Sequence, residues 1–124
     1  MRIAEVLLKI KNMKPSQYDD DMLVSWLSEL DGHVWEELLA KYGAPAPVLP
    51  YNGQMMNRML LIPFPYDGIY LVYLAAQIDY HNAEFERYNN GMMLYNAQLQ
   101  AFYDSYTRNH KTEKALYIEG VKAL

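Results

Sequence analysis

The sequence predicts a mainly α protein: a small antiparallel bundle of about four helices, with a long proline-rich loop containing a short extended or β segment. Three observations predict it. From Tyr66 to His110 there is no proline, and Tyr66, Tyr70, Tyr73, Tyr80, Tyr88, Tyr95, Tyr103 and Tyr106 recur at helical intervals. Residues 19–42 carry the clearest amphipathic pattern in the chain. Between them, Pro45, Pro47, Pro50, Pro63 and Pro65 exclude helix.

The first helix is expected over residues 2–12, where Ile3, Val6, Leu7 and Ile10 share one side and charges the other. Lys14-Pro15-Ser16 breaks it, because proline lacks an N–H and pushes its predecessor out of the α region. Asp19, Asp20 and Asp21 open the second helix, three carboxylates at the positive end of its dipole. Its apolar residues run through Met22, Trp26, Leu30, Val34, Leu38 and Tyr42, with Leu23, Leu27, Trp35 and Leu39 beside them. Ser25, Ser28, Glu29, His33, Glu36, Glu37 and Lys41 form its polar face, and Gly43 stops it. Gly32 marks a bend or a close helix contact.

Residues 43–65 form the loop, with Arg58-Met-Leu-Leu-Ile62 as a short strand that pairs with Val48-Leu49 or waits for a partner chain. The third helix starts just after Pro65. Residues 69–76 are apolar all round, which predicts a buried central helix, and Asp79, Asn82, Glu86 and Arg87 then face outward. Tyr73 and Tyr80, seven apart beside Ile69, Ala76 and Ala83, are expected in the core. Asn89-Asn-Gly91 is a turn signal, although a helix can pass through it. The fourth helix shows Met92, Tyr95, Leu99, Phe102 and Tyr106 as a seam for packing on the third. Residues 1–110 are thus read as one helical domain and 111–124, weakly periodic, as a mobile or partner-dependent tail.

Composition narrows the function. At 124 residues, 52% hydrophobic and 21% charged, the chain is one ordered domain. A net charge of -4 offers no basic surface for a phosphate backbone, so sequence-specific nucleic-acid binding is not expected. With no cysteine there is no disulfide framework, thiolate metal site or cysteine nucleophile. Charged residues interrupt the N-terminal apolar positions, and no run approaches the ~18 apolar residues of a membrane span. A soluble protein made in the bacterial cytoplasm is the expectation.

Two histidine–carboxylate pairs, His33 with Glu36 and His81 with Glu84, stand one turn apart and invite a dimetal reading. The order is reversed from the usual Glu-x-x-His and bridging glutamates have no clear positions, so no metal and no cofactor is predicted. The acidic run at 19–21 lacks the alternating ligands of a calcium loop and is explained as a helix start. No nucleophile, base and oxyanion donor come together, which argues against an enzyme. Tyrosines near helix ends and adaptable methionines suit an interface. The candidate interface set is Val48, Leu49, Tyr51, Met55, Met56, Tyr88, Tyr103, Tyr106 and Tyr117. Arg108, Lys111, Lys114 and Lys122 gather near the C-terminal end, a hint of a tail meeting an acidic surface.

Four blocks carry a resemblance: Trp26-Leu-Ser-Glu-Leu-Asp-Gly32, Leu60-Leu-Ile-Pro-Phe-Pro-Tyr-Asp67, Ala76-Gln-Ile-Asp-Tyr80 and Arg87-Tyr-Asn-Asn90. They resemble the head–tail connector (adaptor) proteins of tailed bacteriophages and prophages, over most of residues 3–110. The resemblance implies a small helical bundle with a long loop. Copies would form a ring on the portal protein and meet tail-completion proteins at the virion head–tail junction, with DNA passing through the middle. It carries no catalytic residues. The rival readings are a helical protein-binding module of prophage or bacterial origin that uses the 43–65 loop, and, more remotely, a metal- or substrate-binding enzyme.

Overall fold

A computed structural model describes the backbone of residues 1–122 and the side chains of residues 1–110. Four helices follow in order: α1 (Ile3–Met13), α2 (Asp20–Glu37), α3 (Ile69–His81) and α4 (Phe85–Lys122). Short 3-10 turns occupy Leu39–Tyr42 and Gly53–Met55. The expected strand at 58–62 does not form. Among the described residues its only trace is an isolated antiparallel bridge between Arg2 and Met59.

The physical reason lies at the start of α1. The first N–H groups of a helix have no partner inside it. Here the 43–65 loop supplies them: Arg58 O accepts from Ile3 N at 3.1 Å and Met56 O from Ala4 N at 2.9 Å. Arg2 Nη1 reaches Asn57 O at 2.7 Å. The segment serves as a cap rather than a strand. It also fills the core, because Tyr51, Leu60 and Ile62 are buried beside Ile3, Val6, Leu7 and Ile10 of α1.

α2 begins as the acidic run predicts, with Asp19 Oδ1 accepting from Met22 N at 2.9 Å. It ends at Glu37, a turn before the expected stop at Tyr42. Leu38 leaves the helical region (φ -125°), the next four residues tighten into 3-10 geometry, and Gly43 closes them at φ 78°. Trp26, Leu27, Leu30 and Val34 are buried as expected. Met22 is exposed instead, and Ser28, assigned to the polar face, is buried.

The α3–α4 corner departs most from expectation. α3 starts at Ile69, after the turns at 63–68, and stops at His81. Glu84 N donates to Asp79 O at 2.8 Å and Ala83 N to Tyr80 O at 3.0 Å. Ala83 sits between them at φ 59°. This is the left-handed helix stop normally built on glycine. Asn89-Asn-Gly91 therefore lies inside α4. Gly91 serves helix packing: a Cβ there would stand 3.2 Å from Ala76 Cβ, so α3 and α4 approach closely where both are small. Beyond that point Tyr73 meets Tyr95 (centroids 5.1 Å apart) and Tyr66 meets Phe102 (5.7 Å), an antiparallel register.

Two tyrosine assignments need correction. Tyr70 is fully buried, Tyr73 is half-buried, and Tyr80, expected in the core, is exposed because it occupies the last turn of α3. Asp79, expected outward, is buried, with Lys14 Nζ 2.5 Å from its Oδ1 as an ion pair lacking hydrogen-bond geometry. The expectation for the tail at 111–124 falls outside the described side chains. The helical backbone of α4 continues to Lys122.

Candidate interaction surface

The loop is held by one buried carboxylate. Asp31 lies in the apolar stripe of α2 between Leu27 and Val34, fully buried. Tyr51 Oη donates to its Oδ2 at 2.7 Å, Leu61 N to the same oxygen at 3.1 Å, and Tyr70 Oη to Oδ1 at 2.5 Å. Ile62 N in turn donates to Tyr70 Oη at 2.8 Å, which directs the Tyr70 proton at Asp31. Ser28 Oγ accepts from Tyr51 N at 2.7 Å while donating to Val24 O. α2, the loop and the start of α3 are thereby tied at one point. Burial pushes the Asp31 carboxyl above its ordinary range, and the hydrogen bonds from Tyr70, Tyr51 and Leu61 oppose that rise. Tyr51 and Tyr70 are raised by their own burial first and by the Asp31 charge second.

This network redistributes the candidate interface residues. Tyr51, proposed for a partner, is 5% exposed and spent on Asp31. Leu49 is half-buried, its Cδ1 3.3 Å from where a Cβ on Gly32 would stand, so Gly32 marks a close contact with the loop. Met55 and Met56 are half-buried against the core. Val48 is exposed, and so are Met59 and Phe64, the last at 84%. On α4, half-buried Tyr88 lies 5.0 Å from the Tyr80 ring. Tyr103 Oη donates to Glu37 Oε2 at 3.1 Å, and its hydroxyl is raised by burial and by that carboxylate. Tyr106 stacks on His110 at 3.7 Å and meets Tyr42 edge-on at 5.5 Å. The Tyr117 side chain lies outside the described residues.

The surface that sequence reasoning missed is at the α3–α4 corner. Trp26, Tyr18 and His81 form an aromatic cluster, with Trp26 and His81 centroids 4.9 Å apart. Tyr18 Oη and Gln17 Nε2 both donate to Asn82 Oδ1, at 2.8 and 2.9 Å. Outside it stand Tyr80 and Phe85, 5.8 Å apart, and along α4 the exposed Met93 (71%) and Leu94. Phe64 precedes α3 and Tyr80 ends it, so the two apolar edges lie at opposite ends of a helix ~20 Å long.

The histidine pairs are arranged differently from expectation. His33 Nε2 pairs with Glu37 at 2.9 Å rather than with Glu36. His81 ends α3, and Glu84 beyond the stop pairs with Arg87 at 3.1 Å. Asp20 of the acidic run pairs with Lys11. Among the described residues no three metal-ligating side chains converge and no helix is long and apolar enough to cross a membrane. Comparison by sequence and by fold finds no matching protein family, no similar curated protein and no similar solved structure.

Proposed function

We propose that the chain is a structural subunit of a phage or prophage head–tail joining ring that docks on the portal protein and receives the tail. The supporting observation is the pairing of a tied-down body with two separate apolar edges. The sequence blocks that carry the resemblance supply the ties: Asp31 from the first, Leu61 and Ile62 from the second, Asp79 from the third. Phe64 at one edge, and Phe85, Met93 and Leu94 at the other, are costly to leave wet in an isolated molecule and useful once neighbours cover them. A ring subunit needs two different faces, because head-to-tail contacts join unlike surfaces. The same edges suit the second reading, a helical module that binds one partner.

The test is genetic and structural. In a phage or prophage encoding this chain, its deletion is expected to leave DNA-filled heads and free tails that do not join. Electron microscopy of the intact particle is expected to show copies of the chain ringed on the portal. Normal tailed particles without the gene would remove this function. Deleting residues 112–124 is expected to preserve folding and weaken incorporation into portal-containing particles.

A further inference from the structure

Between α2 and α4 the bundle leaves a groove. Two hollows of about 330 and 550 Å³ lie along α4 between Met92 and Arg108. Tyr103 and Glu37, hydrogen-bonded to each other, both line the larger of the two. The α2 wall is acidic: the helix contains no Lys or Arg, and Glu29, His33 and Glu37 stand on it at steps of four. Glu29 has no ion-pair partner among the described residues. Tyr73, Tyr95 and Leu99 make the opposite side apolar. The Tyr95 hydroxyl, uncharged at neutral pH as any phenol is, is pushed further up to about 12 by burial.

α4 borders this groove and then continues as helix to Lys122. While its backbone stays helical, residues 111–122 extend along the axis and cannot turn back beside residues 92–108. The groove of a second copy is open to them. In that segment Lys111, Lys114, Ile118 and Lys122 recur at i, i+3, i+7 and i+11, one stripe of a helix, with Tyr117 and Val121 in the neighbouring rows. The interval from Lys114 to Lys122 matches that from Glu29 to Glu37, each rising ~12 Å.

We propose that residues 111–122 of one copy dock in the α2–α4 groove of a second copy. The lysine stripe meets Glu29 and Glu37, and Tyr117 and Val121 meet Tyr73, Tyr95 and Leu99, a helix laid into a groove. The inference rests on the ring reading and names its subunit contact. Tail into groove joins unlike surfaces, so each copy gives one contact and receives another, and the chain of contacts closes if the rotation allows.

The absence of cysteine makes a direct test available. Full-length His33→Cys and Ile118→Cys, mixed at about 1 mM and joined with a short bismaleimide, are expected to give the mixed dimer in excess over both homodimers. Its yield should fall roughly tenfold between about 0.05 and 0.5 M salt. Glu29→Lys in the groove-bearing copy should lower it, and Lys114→Glu in the tail-bearing copy should restore it. No excess of the mixed dimer would overturn the proposal. So would dominance of the His33→Cys homodimer (groove on groove), of the Ile118→Cys homodimer (tail on tail), or of an internal crosslink when one chain carries both thiols. A ring on portals with the grooves empty would end the docking proposal and leave the ring reading. Tail–groove crosslinks without any ring would do the reverse.

Discussion

The 43–65 loop and the α3–α4 corner invert the usual relation between regularity and burial. The loop has almost no regular structure, yet Tyr51, Leu60 and Ile62 are all buried in the core. The corner joins two regular helices, yet it leaves Tyr80, Phe85, Met93 and Leu94 in water. The difference is one of polar anchoring. Irregular backbone can enter a core only if its N–H and C=O groups find partners. In the loop these partners are Ser28, Asp31, Tyr70 and the first turn of α1. A helix satisfies its own backbone, so nothing obliges its outer face to be covered.

That contrast can be broken most directly at Asp31. Asp31→Ala leaves the Tyr51 and Tyr70 hydroxyls and the Leu61 N–H without an acceptor. At ~1–3 kcal/mol for each stranded buried group, urea unfolding should show a loss of about 5 kcal/mol. Amide exchange should rise first in residues 51–62. A loss confined to a few tenths would mean that the loop is held by apolar contact alone.

Trp26→Ala tests the corner. Trp26 is the buried member of its aromatic cluster, and its truncation should cost about 3–5 kcal/mol in the same assay. An unchanged melting temperature would remove the corner from the core. A pH titration then separates the anchoring charge from packing. Burial raises the folded-state pKa of Asp31 above its unfolded value, so the folded protein holds that proton more tightly. The stability of the wild type minus that of Asp31→Asn should therefore fall as pH rises from the ordinary carboxylate range through the raised value, and level off above it. A difference that climbs over this interval would reverse the sign assigned to the site.

Smaller effects sharpen the comparison at the corner. Ala83 holds a left-handed backbone that glycine adopts freely, so Ala83→Gly should stabilise by about 1 kcal/mol, read from the unfolding midpoint. Least of all, Phe85→Ser should change stability by under ~0.5 kcal/mol, because the ring is already half in water. Its effect should appear in assembly. Equal losses in folding and incorporation would make the exposed ring structural.

These contrasts follow what was legible in the sequence. α1 and the start of α2 were readable because their signals are local: Ile3, Val6, Leu7 and Ile10 on one stripe, Asp19 at the cap, Pro15 as breaker. The stop at 82–84 was not, because Ala83 takes a conformation its chemistry does not favour and Asn82 is fixed by Tyr18, distant in sequence. Asn89-Asn-Gly91 carried the stronger turn signal and was overridden by the close approach of Ala76. Tyr51 read as an interface residue because its partner, Asp31, lies 20 positions away. One signal for that network was present: a carboxylate in step with Leu27 and Val34 on an apolar stripe must find donors if it is buried.

The loop's grip on α1 has a kinetic consequence. Ile3 and Ala4 N–H groups wait for carbonyls at Arg58 and Met56, so the first turn of α1 is completed only by closing a span of more than fifty residues. Contacts of such separation form late, whereas the neighbouring α3 and α4 close over a few residues. Folding is expected to begin in the second half of the chain, with α1 docking last. During synthesis, α1 emerges before the loop that caps it and stays uncapped until residue 58 has cleared the ribosome. For that interval its apolar stripe is exposed and open to a chaperone, so a helix made before its cap is secured only after it.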